Sequence, residues 1–407
     1  MAALSTASAQ APAAQAENSH AHVDPAAKLL AYQTPVQTRS ERPHSYDPAF
    51  FGTPTGREVN WKHTPMNRIG ALLDAAAGDS GAVSVQISGA TAAPLAIGQS
   101  PRGDAFVPED LPAAIAWVQA TEARHIVVDG ELAEPILVTV DGRGGVAHEH
   151  LVIEARPNAH GTVLLRHTGS ASLAENVEII VGDGAHLQVV TVQEWQPDAV
   201  HLAAHQATVA RDATLRHFVV SFGGRVVRVN PNVRLSGKGS RAEIYGISFC
   251  DADQHLESQV YIFHEGPETS ADVLYKSALQ GRSAHTVWIG DVLIGRDAIG
   301  TDSYEANRNL VLTEGAQADS IPNLEIETGE IRGAGHASAT GRFDDEQLFY
   351  LQARGIPERE ARRLVVLGFL SEIAQRIGIP ALEKELIAGI ERELAAGAAL
   401  QDAEVSA

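Results

Sequence analysis

Ala185-His186-Leu187, Ala213-Thr214-Leu215, Ala242-Glu243-Ile244 and Ala271-Asp272-Val273 each set an alanine two positions before an apolar residue, and Ala298-Ile299 repeats the pattern less closely. The alanines are separated by 28, 29, 29 and 27 residues. A unit of that length cannot bury its own apolar face, and stacked coils of a solenoid produce such a period. Between and before these points run short β-branched segments broken by turns, at 125–129, 135–140, 151–155, 162–165, 177–181, 187–190 and 217–220. They read as strands. No long helical pattern interrupts them before Asn309. An antiparallel sandwich has a similar strand density, but the near-constant step favours a parallel β-helix.

Outward from this core the pattern changes on both sides. Residues 1–25 are rich in Ala, Ser and Gln, with no basic start and no continuous apolar segment. They read as a disordered tail and not as a secretory signal. Residues 26–125 read as a mixed, partly helical region, with a short helix from Pro25 to Leu30 and helices over 68–77 and 109–124. Trp61 reads as an aromatic anchor for that region. The β core then spans 126–342, and a helical domain spans 343–396. Asp344, Asp345 and Glu346 make an acidic helix start there, as do Pro357 and Glu358 further on. An apolar band follows through Leu364, Leu367, Leu370, Ile373 and Ile377. Gly378-Ile379-Pro380 stops it, one more helix runs to Ala396, and 397–407 are expected to fray.

Composition narrows the function. A net charge of −20 argues against nucleic-acid binding, which needs a basic face. One cysteine rules out an internal disulfide framework, suits a reducing cytoplasm, and cannot by itself cage an iron–sulfur cluster. No apolar run approaches the roughly 18–20 residues that span a bilayer. Gly237-Lys238-Gly239-Ser240 lacks the first glycine and the Lys-Ser/Thr adjacency of a phosphate loop and reads as a turn. His148-Glu149-His150 lacks the spacing of a metalloprotease helix.

The C-terminal junction carries the most distinctive residues. It reads DSYEANRNLVLTEGAQADSIPNLEIETGEIRGAGHASATGRFDDEQLFYLQARGI over residues 302–356. Asn309-Leu310, Pro322-Asn323-Leu324-Glu325-Ile326, His336, Gly341-Arg342, Asp345-Glu346-Gln347, Leu348-Phe349-Tyr350-Leu351 and Arg354-Gly355-Ile356 stand in an order and spacing that resembles the SufB/SufD family of iron–sulfur cluster assembly proteins. Glu58-Val59-Asn60-Trp61-Lys62-His63-Thr64 resembles a further family block, with His63 in place of an aromatic residue. The likeness is nearer to SufD, because the SufB pattern has a functional cysteine in the C-terminal region and none follows Cys250 here. Many SufD sequences read Cys-Ser-His-Gly where this chain has Gly333-Ala334-Gly335-His336-Ala337, so the histidine is kept and the thiol is not.

The resemblance implies a right-handed parallel β-helix flanked by an N-terminal mixed region and a C-terminal helical domain. It implies a non-ATPase scaffold subunit that pairs with a SufB-like subunit through the β-helix. A SufC-like ABC ATPase would dock on the C-terminal helices, where Phe349, Tyr350, Arg354, Leu364, Leu367 and Phe369 are the candidate contacts. His336 is the candidate ligand for a transient iron–sulfur cluster shared with SufB. No cofactor is expected to stay on the chain alone, and flavin binding and self-association without partners are left open. Cys250 reads as a core thiol, with a metal or sulfur-handling role as a remote alternative. His255 is a second remote metal candidate, and Gln254-His255-Leu256-Glu257 resembles a family Gln-His-x-Asp block. The rival class is a β-helix polysaccharide lyase or hydrolase with Asp251, Asp253 and Glu257 along a groove.

Overall fold

Parallel pairing at a step close to the alanine spacing builds most of the molecule. In the computed structural model, which describes residues 43–76, 78–79, 81–343 and 345–405 (the side chains of 345–347 and 396–405 excepted), a solenoid core carries helices on its flank. The expected tail over 1–25 and the helix from Pro25 to Leu30 lie outside the described residues.

The solenoid begins with β1 (Val83–Ser88), β2 (Ala93–Ala96), α1 (Leu111–Gln119) and β3 (Glu122–Val128). Two long strands follow, β4 (Ile136–Ala155) and β5 (His160–Val181), which bend so that each serves both sheets. At the bend Gly142 and Gly169 are in register; a Cβ on Gly169 would lie 2.1 Å from the Gly142 carbonyl oxygen, and its φ is +74°. Only glycine fits so close a backbone crossing.

The chain then alternates between the sheets. One takes β6 (His186–Trp195), β8 (Thr214–Ser221), β10 (Arg241–Cys250), β12 (Ser270–Leu279), β14 (Asp302–Val311) and β16 (Gly333–Arg342). The other takes β7 (Val200–Val209), β9 (Val226–Leu235), β11 (His255–His264), β13 (His285–Ile294) and β15 (Gln317–Ile326). All these pairs are parallel; β1 with β4 and β2 with β3, at the N-terminal end, are antiparallel. The parallel β-helix reading stands and the sandwich falls.

The alanines reported the pitch but lost the phase. Ala185 and Ala213 share one position, just before β6 and β8, whose strand register carries it on to Ser240, Thr269 and Thr301. Ala242 and Ala271 share a different one, in register with Leu187 and Leu215. The in-register step from β8 to β10 takes Thr214 to Arg241, and the step from β12 to β14 takes Ser270 to Asp302. The site needs a small buried residue, and alanine, serine and threonine all meet that need.

Side chains alternate, so every second residue fills the lumen. Val163, Leu187, Leu215, Ile244 and Val273 from one sheet meet Val177, Ala203, Val229, Val260 and Trp288 from the other. The outer faces are covered differently. The N-terminal segment lays Trp61, Ile69 and Leu72 on Val200, Leu202 and Val226. Residues 66–68 and 70–72 are 3-10 turns and not the expected helix over 68–77. Gly70 and the short apolar run do not sustain an α-helix there.

On the other sheet lie α2 (Asp345–Ala353), α3 (Glu358–Arg376) and α4 (Pro380–Val405). Val366, Leu370, Ile373 and Ile377 of α3, with Leu382, Leu386 and Ile390 of α4, cover Phe218, Tyr245, Ile247 and Leu274. Helix α4 continues past Ala396 to Val405, where fraying was expected; its Ala-, Leu- and Glu-rich sequence outweighs the single Gly397. Arg216 on β8 donates to the Arg376 carbonyl oxygen at 2.5 Å, closing the C-terminus of α3, while Lys276 reaches Glu372 and the Phe369 carbonyl.

One buried cation ties the N-terminal flank down. Arg228 is 2% exposed, its guanidinium lies 4.0 Å above the Trp61 ring, and it donates to Asp110, Glu257 and the Asn60 carbonyl. Asp110 is also the N-cap of α1. Replacing Arg228 by alanine strands Glu257 in the interior, and we expect a loss of about 3–5 kcal/mol. Urea unfolding of the Arg228→Ala chain checks this against the unsubstituted protein.

Candidate functional site

The last coil differs from those below it. In β14 the lumen positions are Ser303, Glu305, Asn307 and Asn309, all buried and all polar, where the coil below carries Ala271, Val273, Tyr275 and Ser277. Asn309 donates to Asn307 at 2.7 Å and to Thr340 of β16 at 3.1 Å. His336 is in register with Glu305, so it points the same way one strand further out. It is exposed, because β16 pairs with β14 and, among the described residues, with no further strand. The lumen thus ends in a polar mouth with His336 on its rim and β15 and β16 as edges.

Glu305 sits directly beneath. Neither carboxylate oxygen makes a hydrogen bond of good geometry, and burial, reinforced by Asp291 and only partly offset by the Asn323 backbone, pushes the carboxyl up to about 8. It is a neutral acid at pH 7, and sequence reading missed it because its isolation depends on the coil register.

The helical candidates divide by face. Phe349 and Tyr350 are 73% and 57% exposed, Arg354 stacks its guanidinium 4.6 Å from the Tyr350 ring, and Leu364 is 42% exposed. Leu367 and Phe369 are half-buried against the even-numbered sheet. Thus α2 and the outer side of α3 each expose apolar side chains, while the inner side of α3 belongs to the core.

Cys250 and His255 do not meet. The Cys250 thiol is wholly buried, lies within reach of the Gln254 and His285 carbonyls for its single S–H, and is pushed far up by burial. His255 bonds Glu257 at 2.9 Å and faces His285 at 3.2 Å. The groove triad of the rival reading is likewise dispersed. Glu257 is buried on Arg228, Asp251 accepts from Gln280 and the Ala252 backbone, and exposed Asp253 pairs with Arg68. Lys238 of the glycine turn pairs with Glu268, and a Cβ on Gly237 would lie 2.0 Å from the Arg211 nitrogen, so that segment is a tight turn between coils.

Residues 138–369 match the family model described as SUF system FeS cluster assembly, SufBD core domain. That span is more than half of the chain. The chain belongs to the SufBD family of iron–sulfur cluster assembly proteins. A SufBD family protein of Mycobacterium tuberculosis is 47% identical over 363 residues, covering 86% of this chain and 91% of that protein. One of Mycobacterium leprae is 48% identical, covering 86% and 93%. The iron–sulfur cluster assembly protein SufD of Escherichia coli is 26% identical over 391 residues, covering 85% and 90%. No helix among the described residues is long and apolar enough to cross a membrane.

This SufBD protein also buries a polar cluster deep in the lumen. Trp195 Nε1, which can only donate, contacts Gln193 Oε1 at 2.7 Å, so the Gln193 amide nitrogen donates to Thr191 and to His167 Nδ1. His167 therefore carries its proton on Nε2 and donates to Glu175 at 3.0 Å. Burial alone would raise the Glu175 carboxyl; His167 and His201 outweigh it and hold the group below the usual range. The inward parity of His167, His201, His205 and His217 was the available signal, legible only once the register is known.

Two outcomes follow. Cys250 is expected to resist iodoacetamide until the chain unfolds, so its labelling rate follows denaturant unfolding. For Glu305 the folded state holds a proton that the unfolded state, with an ordinary carboxyl near 4.5, has released. Its contribution to stability is therefore full below that ordinary value and falls as pH rises through about 8. Glu305→Gln is expected to raise stability at pH 7 by on the order of 1–3 kcal/mol and to leave it unchanged at pH 4, read from unfolding curves at both pH values.

Proposed function

We propose that this SufBD protein is a SufD-like, non-ATPase scaffold of cluster assembly that pairs end to end with a SufB-like subunit. The observation that carries the reading is the open last coil. Two strand edges there offer unpaired backbone groups, and parallel edges are seldom left bare. The polar mouth and the rim histidine sit where such a partner would add its own strands. His336 is then a ligand or positioning group for a nascent iron–sulfur cluster, the substrate of the assembly, whose other ligands come from the partner.

The exposed strip formed by Phe349, Tyr350 and Leu364 is the dock for an ABC-type ATPase. Leu367 and Phe369 support it from the half-buried side, and Arg354 holds the Tyr350 ring. ATP-driven approach of two such ATPase subunits would pull on α2 and α3. Because α3 is bonded to β8 and β12 through Arg216 and Lys276, that pull reaches the β-helix and strains the paired ends. Work is done by the partner, and this chain transmits it in the cytoplasm.

Anaerobic co-expression with the SufB-like and SufC-like proteins of the same organism, followed by affinity purification, tests the reading. A ternary complex with iron–sulfur absorbance is expected. Leu364→Glu should release the ATPase and keep the SufB-like subunit, while His336→Ala should lower cluster absorbance severalfold with the complex intact. A lone species that ignores both partners, or full absorbance in His336→Ala, would overturn the respective assignment.

A further inference from the structure

On the outer face of the odd-numbered sheet, away from the lumen and from His336, three imidazoles and two carboxylates form a continuous chain. Glu257 and His255 come from β11, His285 from β13, Asp319 from β15 and His63 from the N-terminal segment. Glu257 Oε2 lies 2.9 Å from His255 Nε2, and His255 Nδ1 lies 3.2 Å from His285 Nδ1. His285 Nε2 lies 2.7 Å from Asp319 Oδ2, and His63 Nδ1 approaches the same oxygen at 3.2 Å.

A neutral imidazole has one N–H to give. That of His255 belongs to Glu257, which is firmly ionised: burial would raise it, but His255, Arg228 and Thr64 bring it down to about 2. With a neutral His255, its Nδ1 accepts and His285 donates from Nδ1. In that tautomer His285 Nε2 presents its lone pair toward Asp319 Oδ2, where Gln317 also donates. Two imidazoles and a carboxylate converge where His285, Asp319 and His63 meet, and a cation placed between them would satisfy all three donor atoms.

We propose that His63 Nδ1, His285 Nε2 and Asp319 Oδ2 bind a divalent first-row transition cation of the Zn²⁺ or Fe²⁺ kind. The three donor atoms lie within 4.8 Å of one another. Metal–ligand bonds of about 2.1 Å set neighbouring donors roughly 3.3 Å apart, so the His63 pair already fits and the His285 pair opens by about half an ångström. Two imidazoles and a carboxylate suit zinc or ferrous iron and leave further positions for water. His63, His285 and Asp319 keep 16%, 22% and 26% of their side-chain surface, so an ion can enter without unfolding. Behind the ligands, His255 fixes the His285 tautomer and Glu257 fixes His255, the relay that metal-bound histidines commonly have. The lumen group of His167, Glu175 and His201 also offers three donor atoms. It is sealed, however, and its one settled proton sits on the His167 nitrogen that would have to ligate.

The site belongs to the chain by itself and needs neither partner. Metal-stripped, tag-free full-length protein is titrated with Co²⁺, read by its d–d absorption, and with Zn²⁺ by calorimetry. One equivalent is expected. His285→Ala and His63→Ala should each weaken binding by 100-fold or more, and His255→Gln by about 10–100-fold. His201→Ala should bind like the unsubstituted chain. His63 lies in a loop outside the sheet, so its variant keeps the fold, which an unchanged unfolding temperature in EDTA verifies. Absence of saturable binding, full binding by both His63→Ala and His285→Ala, or loss of binding in His201→Ala would each overturn the assignment.

Discussion

A strand in this coil cannot satisfy its own backbone. Its N–H and C=O groups go to the coil before and the coil after, so the molecule is held together along its axis and each turn is stable only as part of the stack. The N-terminal end meets that constraint internally, with β1 and β2 pairing antiparallel against β4 and β3. The far end leaves it unmet in β15 and β16. Glu305, Asn307 and Asn309 make the lumen polar again where the stack runs out, and His336 sits on that last turn.

The two flanks solve a second problem, the apolar outer faces that a two-sided coil wall creates. They do so by different means. The N-terminal segment is pinned by charge and aromatic stacking around Arg228, in a node shared by Trp61, Asp110 and Glu257. The C-terminal helices are pinned by broad aliphatic burial, with polar contacts from Arg216, Gln188 and Lys276 at helix carbonyls. An apolar contact tolerates small sliding better than a buried ion node does.

Much of this was legible before any coordinates. The coil step stood out because each coil repeats the same burial need, and the helical tail showed its apolar band. Phase did not, since alanine, serine and threonine fill the same small site and the shift from Ala213 to Ala242 is invisible without pairing. Parity was lost with phase, which hid the lumen histidines and the isolation of Glu305. The gathering of His63 with His285 and Asp319 was out of reach for another reason. It depends on where an irregular segment without a period of its own is laid across three coils. His255 was singled out by its motif, yet its place is behind the ligands and not among them.

The order in which the flanks are made has a consequence for synthesis. Trp61 and its neighbours leave the ribosome before the strands they cover, so the odd-numbered sheet can be clothed as it forms. Phe218, Tyr245, Ile247 and Leu274 emerge before α3 and α4, which cover them. The growing chain therefore carries an uncovered greasy wall for the time taken to translate the last coils and the helices. That interval, and not the finished molecule, is when this protein is most exposed to aggregation and most dependent on chaperones.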